Sequence, residues 1–231
     1  MGGRVALVAG AAGGIGAAIV RELAGRGWRT AGLDLGPVPD ADHAVGVDVS
    51  VPEQVHAAVR RIERELGPVE AALCAAGHYT IVPVSDIAWS DWTRMLRVHL
   101  GGVVNVCRAV TPGMVERRRG AVVAITSGLA IGGGEAEAHY TAAKGAVIGL
   151  VRSLAAELAP SGVRVNAVAP GPTDTSLLPS DSPWRRPSFL QTLPTARLTS
   201  PEEVALISAY LVEEATFCVG EILSPNAGAV I

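Results

Sequence analysis

The chain has 231 residues, 49% hydrophobic and 18% charged, and a formal net charge of -3. That length suits one α/β domain with a sizeable buried sheet, and a pI near 6.0 with a mean hydropathy of +0.35 argues against nucleic acid or an anionic membrane as primary partner. Three scattered cysteines, Cys74, Cys107 and Cys218, lack a C-x-x-C spacing, which excludes a disulfide framework and a zinc knuckle and fits reduced thiols.

Short apolar runs alternate with amphipathic stretches, the pattern of βαβ units on a parallel sheet. The predicted strands are Arg4–Ala9, Arg29–Asp34, Ala44–Val47, Val69–Ala75, Ala121–Thr126, Gly162–Val168 and a last one near Glu221–Leu223. Several are apolar without alternation, as strands covered on both faces are. The expectation is a single doubly wound α/β domain over residues 1–231 with a mostly parallel sheet of seven strands.

The first strand runs directly into Gly10-Ala11-Ala12-Gly13-Gly14-Ile15-Gly16 and an alanine-rich helix. Glycines at such a turn let backbone N–H groups approach a pyrophosphate at the helix N-terminus. The stretch Val5 to Val20 is uncharged and follows Arg4, the form of a signal-peptide core. Its four glycines, Gly10, Gly13, Gly14 and Gly16, make it a poor isolated helix, and it is too short to span a membrane. A cytoplasmic location and no membrane partner are therefore expected.

Asp34 ends the second predicted strand, 18 residues after Gly16. A carboxylate there accepts both hydroxyls of an adenine ribose and repels a 2′-phosphate, which favours NAD over NADP. Next, Ser50-Val51-Pro52-Glu53 has the form of a capping box. Val55, Val59, Ile62 and Leu66 follow at helical spacing. Val147, Leu150, Val151, Leu154 and Leu158 make a second stripe, on a helix ending near Pro160. Ser200-Pro201-Glu202-Glu203 repeats the capping device before a late helix. The long irregular segment Thr173–Thr199 is expected to be disordered or a functional lid.

Tyr140-Thr141-Ala142-Ala143-Lys144 sets a phenol and an ammonium four residues apart on one helix face. A free tyrosine, with a pKa near ~10, is a poor base at neutral pH. A nearby ammonium, joined by an oxidised nicotinamide, stabilises phenolate. By itself the pair reads equally as a solvated surface contact.

The chain resembles the classical short-chain dehydrogenase/reductase family over essentially its whole length. The residues carrying the resemblance are the Gly10–Gly16 turn, Asp34, Asp48-Val49, Ala76-Gly77, Ser127, Tyr140-x-x-x-Lys144, Asn166 and Pro170-Gly171. Ser127 lies 13 residues before Tyr140, the separation at which the family places its catalytic serine. The resemblance implies a Rossmann-like fold, an NAD cofactor and an alcohol/ketone substrate. It implies Tyr140 as general acid/base, Ser127 as hydrogen-bond donor to the substrate oxygen, and Lys144 as holder of the nicotinamide ribose that lowers the tyrosine pKa. Gly10, Ala12, Gly14, Ile15 and Gly16 are implied at the pyrophosphate, and Asp48 and Val49 at the adenine. Ala75, Ala76 and Gly77, with Pro170, Gly171, Thr173 and Thr175, are implied to complete the cofactor site toward the nicotinamide. A homotetramer or homodimer is implied as well, packing helices around Arg94–Met114 and Thr141–Leu158.

The departures from the family pattern are specific. Cys74-Ala75-Ala76-Gly77 replaces N-N-A-G, Ala9 replaces a threonine, and Val98-His99-Leu100 replaces V-N-L. The missing asparagine belongs to the family's catalytic tetrad, where it anchors a proton-relaying water. His99 is the candidate to replace it, because imidazole holds a water and titrates near neutral pH, and a packed structural histidine is the competing reading. His78 and His139 border the expected site. Leu177, Leu178, Trp184, Phe189 and Leu190 are candidates for an apolar pocket, and Arg185 and Arg186 read as solvated loop arginines. An NADPH-type ketoreductase on 3-oxoacyl or polyketide-like substrates and a catalytically weak NAD-binding scaffold stay open beside the leading reading.

Overall fold

A computed structural model describes residues 3–230. Seven strands form one sheet: β1 (Val5–Ala9), β2 (Arg29–Asp34), β3 (His43–Gly46), β4 (Val69–Cys74), β5 (Gly120–Ile125), β6 (Val163–Val168) and β7 (Ile222–Leu223). Their order is β3-β2-β1-β4-β5-β6-β7, and every neighbouring pair is parallel. The chain runs outward from β1 through β2 and β3, then returns to add β4 on the other side of β1. A crevice therefore opens beyond the carboxyl ends of β1 and β4, where such sheets bind ligands.

Helices cover both faces. Against one lie α2 (Pro52–Leu66), α4 (Gly102–Glu116) and α6 (Ala138–Leu158), contributing Val55, Val59, Ile62, Val106, Val147 and Val151 to its core. Against the other lie α1 (Gly14–Gly25) and α8 (Pro201–Glu213), with Ile19, Leu23, Val204 and Leu211. Burying each such side chain stabilises the fold by roughly 1.5–3 kcal/mol before conformational entropy is subtracted. The stripe at Val147, Val151 and Leu158 thus faces its own sheet, with Leu150 and Leu154 packed against it.

The two capping sequences behave differently. Ser200 accepts from the Glu203 N–H and Glu203 reaches back to the Ser200 N–H, a complete box with Pro201 at the first helical position. At α2 the box expected at Ser50 does not form, and Val51 is the cap, at φ -107° and ψ 103°. The reason is steric. A residue preceding proline is pushed out of the helical region, so Val51 cannot be the first helical residue that a Ser50 cap needs. The Ser50 N–H is instead given to Asp48 Oδ1 at 2.8 Å.

Helix α3 (Trp89–Leu96) continues into α4 through a π turn, Arg97–Gly101. Two short helices, α5 (Leu129–Gly132) and α7 (Pro187–Leu190), lie beyond the sheet's carboxyl edge. The segment 173–199 is built of turns, not a featureless loop. A bridge between Thr173 and Thr199 closes its base, and it contains a single 3-10 turn, Pro183–Arg185, and α7.

Candidate active site

The end of β5 and the start of α6 are laced together. Thr126 Oγ1 donates to the Lys144 carbonyl at 2.8 Å, and Lys144 Nζ donates to the Ile125 carbonyl at 2.7 Å. This lacing, which the sequence did not announce at Thr126, sets Lys144 and Tyr140 on the buried face of α6 beside Ser127. All three line one cavity at the carboxyl end of the sheet.

Burial pushes the Tyr140 phenol up to about 12, partly offset by the influence of the Ser127 hydroxyl. Burial also brings the Lys144 ammonium down to about 8, against the opposing influence of Cys74. The ammonium lies 5.8 Å from the centre of the Tyr140 ring. The lowering of the tyrosine expected from Lys144 is therefore not what the protein alone produces: desolvation wins, and the phenol is held as a proton donor.

His99 sits in the π turn, buried, with its ring edge-on to Tyr140 at 5.4 Å between centroids. Gly77 makes room for it, since a Cβ there would overlap the imidazole. Its Nε2 lies 2.8 Å from the His78 carbonyl oxygen and 3.1 Å from the His78 nitrogen. Its Nδ1 is buried with no hydrogen-bond partner among the described residues. Burial first, then the charge of Lys144, lowers its pKa to about 2. His99 is neutral at physiological pH, which corrects the expectation that it titrates near neutrality. Of the other histidines, His139 is buried with Nε2 2.9 Å from Thr80 Oγ1, and His78 is half-buried.

A second cleft adjoins the first and shares Ala75 and Gly77 with it. Gly10, Ala12, Asp34, Asp48 and Val49 line it, so these three sequence segments meet Ala75–Gly77 there. Gly10 has φ +81° and lies so close to Ala76 that a Cβ would overlap its backbone. The Asp34 carboxylate is fixed by the Ala12 N–H at 2.9 Å and the Gly36 N–H at 3.0 Å. Ile15, Pro170, Gly171, Thr173 and Thr175 line the first cavity opposite Tyr140. Gly14 and Gly16 close the turn, and at Gly14 a Cβ would come 2.5 Å from Thr175 Cγ2. Asn166 is structural: it joins β6 to the approach of β7 through the Cys218 carbonyl and the Glu221 N–H, both at 2.9 Å.

These residues fit a nicotinamide dinucleotide. The glycine turn opens at a helix N-terminus, and the Asp34 carboxylate is held in place at the end of β2. The buried Lys144 ammonium has three donors, one of them given to Ile125.

The wall of the first cavity includes Leu177, Leu178, Trp184 and Phe189, whereas Leu190 does not reach it. Arg185 is not a free loop arginine. It pairs with Asp174 at 2.6 Å and donates to the Leu178 and Thr175 carbonyls, while Arg186 is exposed. Sequence reasoning missed Tyr79, which also lines this cavity, and Glu137 behind it. No helix of the described residues is long and apolar enough to cross a membrane. The three cysteines are free and buried.

A protein-family model described as enoyl-(acyl carrier protein) reductase matches residues 10–229. The 3-oxoacyl-[acyl-carrier-protein] reductase of Vibrio cholerae is 33% identical over 236 residues, covering 98% of this chain and 97% of the relative. An acetoacetyl-CoA reductase of Synechocystis is 36% identical over 227 residues, covering 96% and 95%. Among solved structures, ligand-free aldohexose dehydrogenase of Thermoplasma acidophilum superimposes with a TM-score of 0.91 at 29% identity, covering 98% of this chain and 93% of that one.

Proposed function

This chain belongs to the short-chain dehydrogenase/reductase family of oxidoreductases, and within it we propose an NAD-dependent dehydrogenase or carbonyl reductase acting on a secondary alcohol/ketone pair. The observation that carries the reading is the convergence of Ser127, Tyr140 and Lys144 on one cavity, next to a cleft lined by Asp34.

Gly10 to Gly16, Asp34, Asp48 and Val49 would hold the dinucleotide, with Lys144 and the Pro170–Thr175 turn at its nicotinamide end. A nicotinamide bound there would supply the hydride-transfer chemistry. In the reducing direction the Tyr140 hydroxyl gives its proton to the carbonyl oxygen as that oxygen gains charge. The Ser127 hydroxyl donates a hydrogen bond to the same atom, strongest when the charge is greatest. The raised phenol pKa keeps the proton on Tyr140 until it is needed. Neutral His99, its Nδ1 sealed from solvent, is not suited to carrying a proton as imidazolium. The apolar wall of Leu178, Trp184 and Phe189 favours an uncharged substrate body, and Arg185 is already committed to Asp174.

A second reading, reduction of a 3-oxoacyl thioester, draws on the similarity to the 3-oxoacyl-[acyl-carrier-protein] reductase of Vibrio cholerae and the acetoacetyl-CoA reductase of Synechocystis. One experiment separates the readings: binding of NADH and NADPH, then turnover on a panel of secondary alcohols, ketones and acetoacetyl-CoA. NADH should bind more tightly, and Asp34→Ala should erase the preference. Tyr140→Phe should cut turnover by about 10²–10⁴-fold with NADH binding retained. Tighter NADPH binding would overturn the cofactor assignment, and unchanged turnover in Tyr140→Phe the mechanism.

A further inference from the structure

Glu137 immediately precedes α6 and is completely buried, three residues before Tyr140. Gly134 leaves the space for it, since a Cβ there would overlap its carboxyl group. A carboxyl group taken out of water is expensive unless it is bonded. One oxygen of Glu137 accepts from the Tyr79 hydroxyl, and the other has no partner among the described residues. The Tyr79 hydroxyl in turn accepts from Trp184 Nε1 at 2.8 Å. Tyr79 follows β4, Glu137 precedes α6 and Trp184 belongs to the segment 173–199, so the chain of bonds ties together three distant pieces of sequence.

Its position is what gives it meaning. Tyr79 and Trp184 both line the cavity that holds Tyr140. The Tyr79 ring also packs edge-on against Tyr140, with centroids 5.0 Å apart. Trp184 packs against Phe189 at 4.7 Å and so carries the apolar wall with it. The base of the segment is fixed separately, by the Thr173–Thr199 bridge, by Arg197 with Glu203, and by Thr195 on the Ala227 carbonyl. Arg185 ties the outer part, 179–194, to Asp174, Thr175 and Leu178 within the same segment. Among the described residues, Trp184 to Tyr79 is the one hydrogen bond from that outer part to residues outside 173–199.

We propose that Glu137 is a positioning residue: through the Tyr79 hydroxyl it holds Trp184, and with it the outer part of 173–199, closed over the substrate pocket. The proposal rests on reading this cavity as the substrate site. A carboxyl group that cannot turn to water is a fixed acceptor. It orients the Tyr79 proton inward and leaves the phenol oxygen free to receive the indole N–H. The three groups work as one clasp, released by loss of any member.

The test uses Trp184→Phe, Tyr79→Phe, Glu137→Leu and Glu137→Gln with two readouts, amide hydrogen exchange across 179–194 and the split between KM and kcat. Trp184→Phe and Tyr79→Phe should each speed exchange in that segment and raise the substrate KM by roughly three- to tenfold, the size of one lost hydrogen bond. The double variant should be no worse than either single one. Glu137→Leu should match them, and Glu137→Gln, whose amide oxygen still accepts from Tyr79, should restore both readouts. Unchanged exchange in Trp184→Phe would overturn the clasp. So would multiplying KM effects in the double variant, or a Glu137→Leu that lowers kcat at constant KM, which would mark a direct effect on Tyr140. If Glu137→Leu does not fold, the other three variants decide. Absence of turnover in the wild type would count against the oxidoreductase reading and leave hydrogen exchange to judge the clasp.

Discussion

Glu137 and Tyr140 show what burial does to acids that share a site. Both are pushed toward their neutral forms, Glu137 up to about 7 by burial alone and Tyr140 up to about 12. For Glu137 the folded value exceeds the ordinary one of 4.5, so the folded state keeps a proton that the unfolded chain gives up. Stability from this group is present in full below the unfolded pKa and is lost as pH rises through the folded one, by roughly 3 kcal/mol. Urea unfolding at pH 5 and pH 8 should therefore show Glu137→Gln gaining on wild type at the higher pH, and a constant difference between the two would refute it. The same burial explains what the sequence concealed. Tyr140, Lys144 and Ser127 were legible because their spacing along the chain is fixed, and Asp34 because it ends a strand. Glu137 meets Tyr79 across 58 residues and Tyr79 meets Trp184 across 105, and no local pattern records such a meeting. His99 was legible as a departure, but its neutrality follows from enclosure by residues distant in sequence.

Helix starts carry a lesson about single residues in context. Two serines stand before prolines in similar words, yet only Ser200 has its proline at the next position, and only Ser200 caps a helix. Ser200→Ala should cost about 1 kcal/mol of stability, whereas Ser50→Ala should cost a few tenths at most, both read from thermal or urea unfolding. Equal losses would mean that Ser50 works as a cap after all. The strands, by contrast, were placed to within about one residue at each end, because unbroken β-branched and alanine runs leave little choice in a sheet covered on both faces. The segment 173–199 was legible only as an interruption. Its turns depend on Arg185 gripping Asp174 and on the bridge at its base, contacts that composition does not reveal.

At the scale of the whole molecule, the sheet order puts both clefts on one edge, where the chain reverses about β1. One edge therefore carries both the proposed cofactor cleft and the proposed substrate cavity, while the opposite edge is free to be structural. The apolar stripe of α6 is used up against its own sheet, so it gives no support to the homotetramer or homodimer implied by the resemblance. Among the exposed apolar side chains, which include Leu35 and Phe217, Trp89 at the start of α3 is 81% accessible and has Val84 close before it in sequence at 67%. Isolated apolar residues are ordinary, but an indole so exposed is a candidate for burial between copies. Sedimentation should give a dimer or tetramer, and Trp89→Lys should shift it toward monomer; an unchanged mass would place the interface elsewhere.

The π turn at Arg97–Gly101 has a consequence for the shape of the long helix that contains it. A π turn is wider than an α turn by one residue, and each α-helical residue advances the helix by about 100°. The turn therefore acts as a phase shifter between two helices that would otherwise be one. Met95 on the near side and Val103 on the far side are both buried, so each half keeps its own inward face. The surplus residue is absorbed where His99 turns toward Tyr140. A continuous α-helix of the same length could satisfy one half's packing or the other's. With the slack placed at the turn, both halves stay seated, and the imidazole at the join is delivered to the cavity that Tyr140 lines.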